Sequence, residues 1–128
     1  MSVQVGELKK VRTPFYDTKT RQMSIKSRPG IVIGVVSSTD NDLVILPMST
    51  MSAVVYIDPN YDVLISRADY PNLKRPRDSY IRTHKSTTVN EADTLATGIN
   101  LKSEYPDLFV DIMAKYEEFT RKVIDKAL

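Results

Sequence analysis

The chain has 128 residues, 41% hydrophobic and 27% charged, with a formal net charge of +2 and no cysteine. These values describe a single folded domain, residues 1–128, and exclude a disordered chain, disulfides, thiolate metal sites and cysteine nucleophiles. The longest apolar run, residues 31–36, is too short to cross a bilayer, and the opening MSVQVGELKK lacks the apolar centre of a signal peptide. A cytoplasmic protein that spans no membrane is expected.

Val3 and Val5 alternate with polar neighbours and predict a first strand, with a bulge at Gly6. Residues 12–27, RTPFYDTKTRQMSIKS, show no period and predict a long basic loop carrying Phe15 and Tyr16. Residues 31–36 are apolar and rich in β-branched side chains, as in a buried strand. A turn through Asp40, Asn41 and Asp42 leads to a return strand over 43–48. That carboxylate pair has the composition of a hard-cation loop, but three residues fit a plain turn better. Pro47 cannot donate a ladder hydrogen bond, so the strand must exit, bulge or lie at an edge there.

Short strands follow over 54–57 and 61–66. Residues 67–78, with two prolines, form a connector with room for one helical turn. Residues 79–85 and 87–89 read as further strands. The period then changes: Leu108, Phe109, Ile112, Met113, Tyr116, Phe119, Val123 and Leu128 fall at helical spacing, with Pro106 in the first turn. This stripe is expected to be core. The order predicts a mainly β protein with helices, a strongly bent antiparallel sheet or small barrel capped by a C-terminal helix.

Charge is unevenly spread. Residues 1–30 carry seven cations, Lys9, Lys10, Arg12, Lys19, Arg21, Lys26 and Arg28, against Glu7 and Asp17. Residues 31–66 carry only acids, and 67–87 are basic again through Arg67, Lys74, Arg75, Arg77, Arg82 and Lys85. Folded onto one face, the basic segments would attract phosphates; otherwise they are solvated loop charges. A single histidine, His84, excludes a two-histidine acid–base pair within one chain and makes a zinc site improbable. Four glycines form neither a phosphate loop nor a dinucleotide fingerprint. No metal or cofactor is expected. What remains is a pairing at the hairpin's ends. Arg28-Pro29 precedes one strand and Met48-Ser49-Thr50 follows the next, so an arginine and a hydroxyl meet at one rim.

The runs SRPGIVIG, DLVILPMST and SYIRTHK, with Gly6-Glu7-Leu8 before them, resemble the MazF/PemK toxin family over about residues 3–125. In that family an Arg-Pro precedes an apolar strand, the return strand ends in Ser or Thr, and a later strand carries Ile-Arg-Thr, matched by Ile81-Arg82-Thr83. The resemblance implies an SH3-like barrel paired as a homodimer. It implies a metal-independent endoribonuclease on single-stranded RNA, the toxin of a type II toxin–antitoxin system. The essential arginine falls on Arg28, and the essential hydroxyl on Ser49 or the adjacent Thr50. Gly30 departs from the β-branched residue usual after Arg-Pro, and serine replaces the threonine of many members.

RNA carries its own nucleophile. Its 2′-hydroxyl attacks the adjacent phosphate to give a 2′,3′-cyclic phosphate and a 5′-hydroxyl. A fixed guanidinium then stabilises the charge that builds on the phosphoryl oxygens. Candidate RNA contacts are Phe15, Tyr16, Lys19, Arg21, Lys26, Arg82, His84 and Lys85. Phe15 and Tyr16 either stack on bases or anchor the loop. Arg82 is a phosphate contact or a structural ion pair at the dimer interface, and His84 a contact, a proton donor or a structural residue. The expected partner is an antitoxin whose acidic extended tail lies in the RNA groove. A non-enzymatic gyrase poison on the same barrel, with contacts on the terminal helix, and a nucleic-acid-binding module without catalysis are the alternatives.

Overall fold

A computed structural model describes residues 3–37, 41–50 and 56–128. Its strands are β1 (Glu7–Asp17), β2 (Gln22–Ser37), β3 (Asp42–Ser49), β4 (Asp62–Ile65), β5 (Ser79–Arg82), β6 (Thr87–Asn90) and β7 (Thr94–Asn100). Helices α1 (Leu101–Glu104) and α2 (Pro106–Ala127) follow, and a 3-10 turn at Pro71–Leu73 supplies the helical turn expected of the connector. All ladders are antiparallel, in the order β4-β5-β3-β2-β1-β7, with β6 pairing the first half of β3 on the edge where β5 pairs its end. The chain is thus mainly β, a strongly curled sheet in a small half-barrel with a C-terminal helix. No helix among the described residues is long and apolar enough to cross a membrane.

Strand β1 starts at Glu7, not at Val3. Gly6 adopts φ +96°, donates its amide to the Val32 carbonyl and accepts from the Leu101 amide, so it forms the corner before the strand. The largest departure from the sequence reading is at 12–27. These residues are no loop but a two-stranded arm, paired continuously from Leu8 opposite Ile31 to Asp17 opposite Gln22. Beyond Val11 and Gly30 neither strand has a further neighbour in the ladders. No residue of the arm from Arg12 to Arg28 is fully buried on either face, so no strict apolar alternation is required of its sequence. The tip closes through Asp17, whose carbonyl accepts from Arg21 N and whose Oδ1 accepts from Lys19 N at 2.9 Å. Arg21 takes up the left-handed conformation there.

The hairpin of β2 and β3 forms as the apolar runs predict. Asn41, at the entry to β3, is left-handed (φ 56°), while residues 38–40 of its turn lie outside the described residues. Register shifts after Val32 and Val35 insert extra residues in β2 and increase the curl. At Pro47 the strand exits its ladder. Gly30 opposite Pro47 is the last β2 pair, and Met48 and Ser49 then pair with Ile81 and Tyr80 of β5. Neither Pro29 nor Pro47 has an amide to continue that ladder. The strand predicted at 54–57 falls partly outside the described residues; Tyr56 and Ile57 are not in a strand. Strand β7 follows a 3-10 turn and covers the edge of β1, with a two-residue slip at Thr97 and Gly98.

The core divides by sheet face. On one face Leu8, Ile31, Leu46, Met48, Ile65 and Ile81 pack under Leu108, Phe109 and Ile112 of α2. On the other, Val11, Val32, Leu43 and Ile45 form a smaller cluster with Val3 and Val89 against it. Helix α2 carries Pro106 in its first turn, as expected, and is tied to the β4 turn by Lys115 Nζ donating to the Asn60 carbonyl at 3.1 Å. The apolar stripe is core only in the first half of the helix. Val123 and Leu128, expected to be buried, are exposed, because the helix outruns the sheet beneath it.

Gly30 permits the small cluster. A Cβ there would overlap the Ile45 Cγ2 methyl and lie 3.3 Å from the Leu46 carbonyl oxygen. Gly30→Ala is therefore expected to lower unfolding stability by about 1–3 kcal/mol through overpacking. Urea denaturation monitored by circular dichroism measures it; an unchanged midpoint would contradict this packing.

Candidate nucleic-acid interface

Paired residues of an antiparallel ladder share a face. Val11 with Arg28, Thr13 with Lys26, and Phe15 with Ser24 therefore line one side of the arm; Pro14 with Ile25 and Tyr16 with Met23 line the other. The first side is continuous with the small cluster, the face α2 leaves uncovered. Arg28 and Lys26 stand there, exposed and two residues apart, with Phe15 half-buried farther out. Lys19 and Arg21 lie at the tip, about 20 Å from Arg28 at ~3.3 Å per residue. The arm thus separates Phe15 from Tyr16. Tyr16 belongs to an exposed apolar back with Met23 and Ile25.

Arg28 borders a recess of about 260 Å³ whose other walls are Val11, Thr13, Pro29, Ile45, Pro47 and Thr87. Arg28 and Ser49 each lie two residues past the last β2–β3 pair, Gly30 with Pro47, on the same face of their strands. Ser49 is half-buried opposite Tyr80; Thr50 is exposed and lies just past the end of the strand. Among the described residues no carboxylate forms an ion pair with Arg28 or Lys26.

Arg82, His84 and Lys85 cluster where β5 runs into its following turn. Arg82 Nε donates to Asp62 Oδ1 at 3.1 Å and Nη2 to the Tyr56 carbonyl at 3.3 Å. The Asp62 carboxylate is fully buried and also accepts the Asp58 amide at 2.8 Å. Arg82 is thus held in an ion pair within its own chain, rather than one made across a dimer interface. His84 is turned inward, its ring 5.6 Å from Tyr61 and 6.2 Å from Phe119, with Nδ1 3.8 Å from Asp62 Oδ1 and without a hydrogen-bond partner among the described residues. Lys85 is exposed beside it.

Sequence reasoning missed Thr13 and Thr87 as walls of the recess and Asp62 as the anchor of Arg82. Thr13 lay in the supposed loop, where side-chain direction is unreadable. Asp62 carries only the weak signal of an acid at the start of an alternating strand. The chain matches no protein-family model and no curated protein.

The His84 pKa is lowered, first by desolvation; Asp62 and Asp58 raise it, while Arg82 and Lys85 lower it further. The unfolded chain, with its histidine at the ordinary value of 6.5, thus binds this proton at higher pH than the folded one. The stability due to neutral His84 is present above pH 6.5 and is lost as pH falls through that value toward the folded pKa. Urea midpoints measured between pH 7.5 and 5.5 should fall with acid and fall less in His84→Gln. An equal decline in both proteins would refute the assignment.

Proposed function

We propose that this protein is a metal-independent endoribonuclease acting on single-stranded RNA, and the toxin of a type II toxin–antitoxin pair of the MazF/PemK kind. The observation that carries the reading is Arg28: an exposed guanidinium without an ion-pair partner among the described residues, at the ladder end it shares with Ser49. Lys26, Phe15 and the tip cations Lys19 and Arg21 extend that face outward, a pattern that suits a backbone-tracking groove with a stacking aromatic.

In this reading a phosphate sits on Arg28. The 2′-hydroxyl of the ribose whose 3′-oxygen carries that phosphate attacks phosphorus and gives its proton to water; the bond to the 5′-oxygen of the next ribose breaks, and that leaving oxygen takes a proton from water to become a 5′-hydroxyl. Two guanidinium N–H groups aim at the non-bridging oxygens, where charge develops. Ser49 donates to the phosphate or orients the 2′-hydroxyl. Arginine stays protonated at neutral pH and serves as an electrostatic group rather than a base. The antitoxin is proposed to lay an acidic, extended segment over the same cations. Two-fold pairing with a second copy, and a cytoplasmic location, complete the proposal.

A second reading has its own observation. The outer half of α2 leaves Val123, Ile124 and Leu128 exposed, which suits a toxin that binds a protein target such as gyrase through its terminal helix.

The assay is cleavage of a long single-stranded RNA in excess EDTA. Wild type should yield fragments with 5′-hydroxyl and 2′,3′-cyclic phosphate ends. Arg28→Ala should lose about 10²–10³-fold in rate, the scale of removing one preorganised charge-stabilising donor, while its urea midpoint stays near wild type. Absence of cleavage by folded wild type, or full activity in Arg28→Ala, would reject the reading. Binding to gyrase abolished by Ile124→Glu would favour the second.

A further inference from the structure

Accepting Arg28 as the phosphate-binding group, we propose that the recess beside it is a subsite for one unpaired nucleobase of the RNA, with Thr13 and Thr87 reading the edge of that base. The inference therefore rests on the ribonuclease reading. The volume, about 260 Å³, lies below the roughly 300–1,000 Å³ of sites that enclose whole small molecules. It suits one planar ring, not a complete nucleotide.

The walls suit that ring chemically. Val11 and Ile45 form an apolar floor, with Pro29 and Pro47 completing the apolar wall. Polar groups are few and peripheral: the two threonines and the Arg28 guanidinium. Thr13 Oγ1 donates to the Val11 carbonyl at 3.3 Å, so its lone pairs remain to accept from a base N–H. The complementary ligand has a flat apolar body, a polar edge and an attached anion. A nucleotide within single-stranded RNA has all three, whereas a base inside a duplex presents neither a free face nor a free pairing edge.

The recess is also rigid and sequence-dependent. Its residues come from β1, β2, β3 and β6, so strand register holds them in place. It depends on Gly30, since any larger residue would drive Ile45 from the floor.

The test follows the Thr13 and Thr87 methyl resonances by NMR while each of the four nucleoside 3′-monophosphates is added, with ribose 5-phosphate as the anion control. The filled-recess variant is Thr87→Phe, at an exposed position paired with Ile45; its urea midpoint checks that it folds. At least one nucleotide should shift both methyls and bind about ten-fold or more tighter than ribose phosphate, in line with ~1–3 kcal/mol per stacked base. Thr87→Phe should remove that gain. Equal binding of ribose phosphate and all four nucleotides, or a gain that survives Thr87→Phe, overturns the subsite. RNA cleavage by wild type in EDTA separates the failures: with cleavage intact only the subsite falls, and without it the reading beneath falls as well.

Discussion

Ile45 packs against the bare backbone of Gly30, and the open face of this protein depends on that contact. It draws β2 and β3 together where their ladder is about to end. One step on, both strands carry a proline, Pro29 and Pro47, and neither can continue the hydrogen bonding. The strands therefore part, β3 turns to β5, and the arm of β1 and β2 runs outward alone. Arg28 and Ser49 stand at the point of parting. A larger residue at 30 would disturb the floor, the register and the rim together.

The two faces of the sheet have different work. Leu108, Phe109 and Ile112 of α2 seal one face with the main apolar cluster, where burial supplies most of the stabilisation. The other face holds only a small cluster and stays open toward the arm. Cations on the arm would weaken a packed core, but here they lie over solvent. The buried Asp62–Arg82 pair sits at the far end of β4 and β5, with His84, Tyr61 and Phe119 packed around it. That cluster joins the β4–β5 end of the sheet to α2 through Phe119.

Much of this was legible wherever one face of an element is dry. The β-branched residues at 31–36 and 43–48 announced their hairpin, and Pro47 announced its exit. The three-and-four spacing of Leu108, Phe109 and Ile112 announced α2. Legibility failed where both faces are wet. Residues 12–17 pair with 22–27, yet their alternation is only between exposed and half-buried positions, and it does not coincide with an alternation of polar and apolar side chains. Strand β7 was equally silent, because Leu95 and Ala96 are exposed and Gly98 interrupts the alternation. The outer half of α2 kept its apolar spacing without a sheet to cover it. Arg28 was singled out from its place at the hairpin's end and from the family resemblance, but it lies inside β2 rather than before a strand, because the two-stranded arm extends β2 back to Gln22. Thr13 and Thr87 were not singled out, since a wall of a recess is set by register between strands and not by local spacing.

The account turns on Arg28 meeting the RNA phosphate on the open face. The most direct measurement is NMR of the arginine Nε–H and the methyl groups with a single-stranded RNA bearing 2′-deoxyribose at the scissile nucleotide, which blocks cleavage but not binding. The account predicts that the Arg28 Nε–H resonance moves strongly with RNA, together with signals from Thr13 and Thr87, while Val123 and Ile124 of α2 stay in place. Shifts confined to α2, with Arg28 unmoved at saturating RNA, would contradict it.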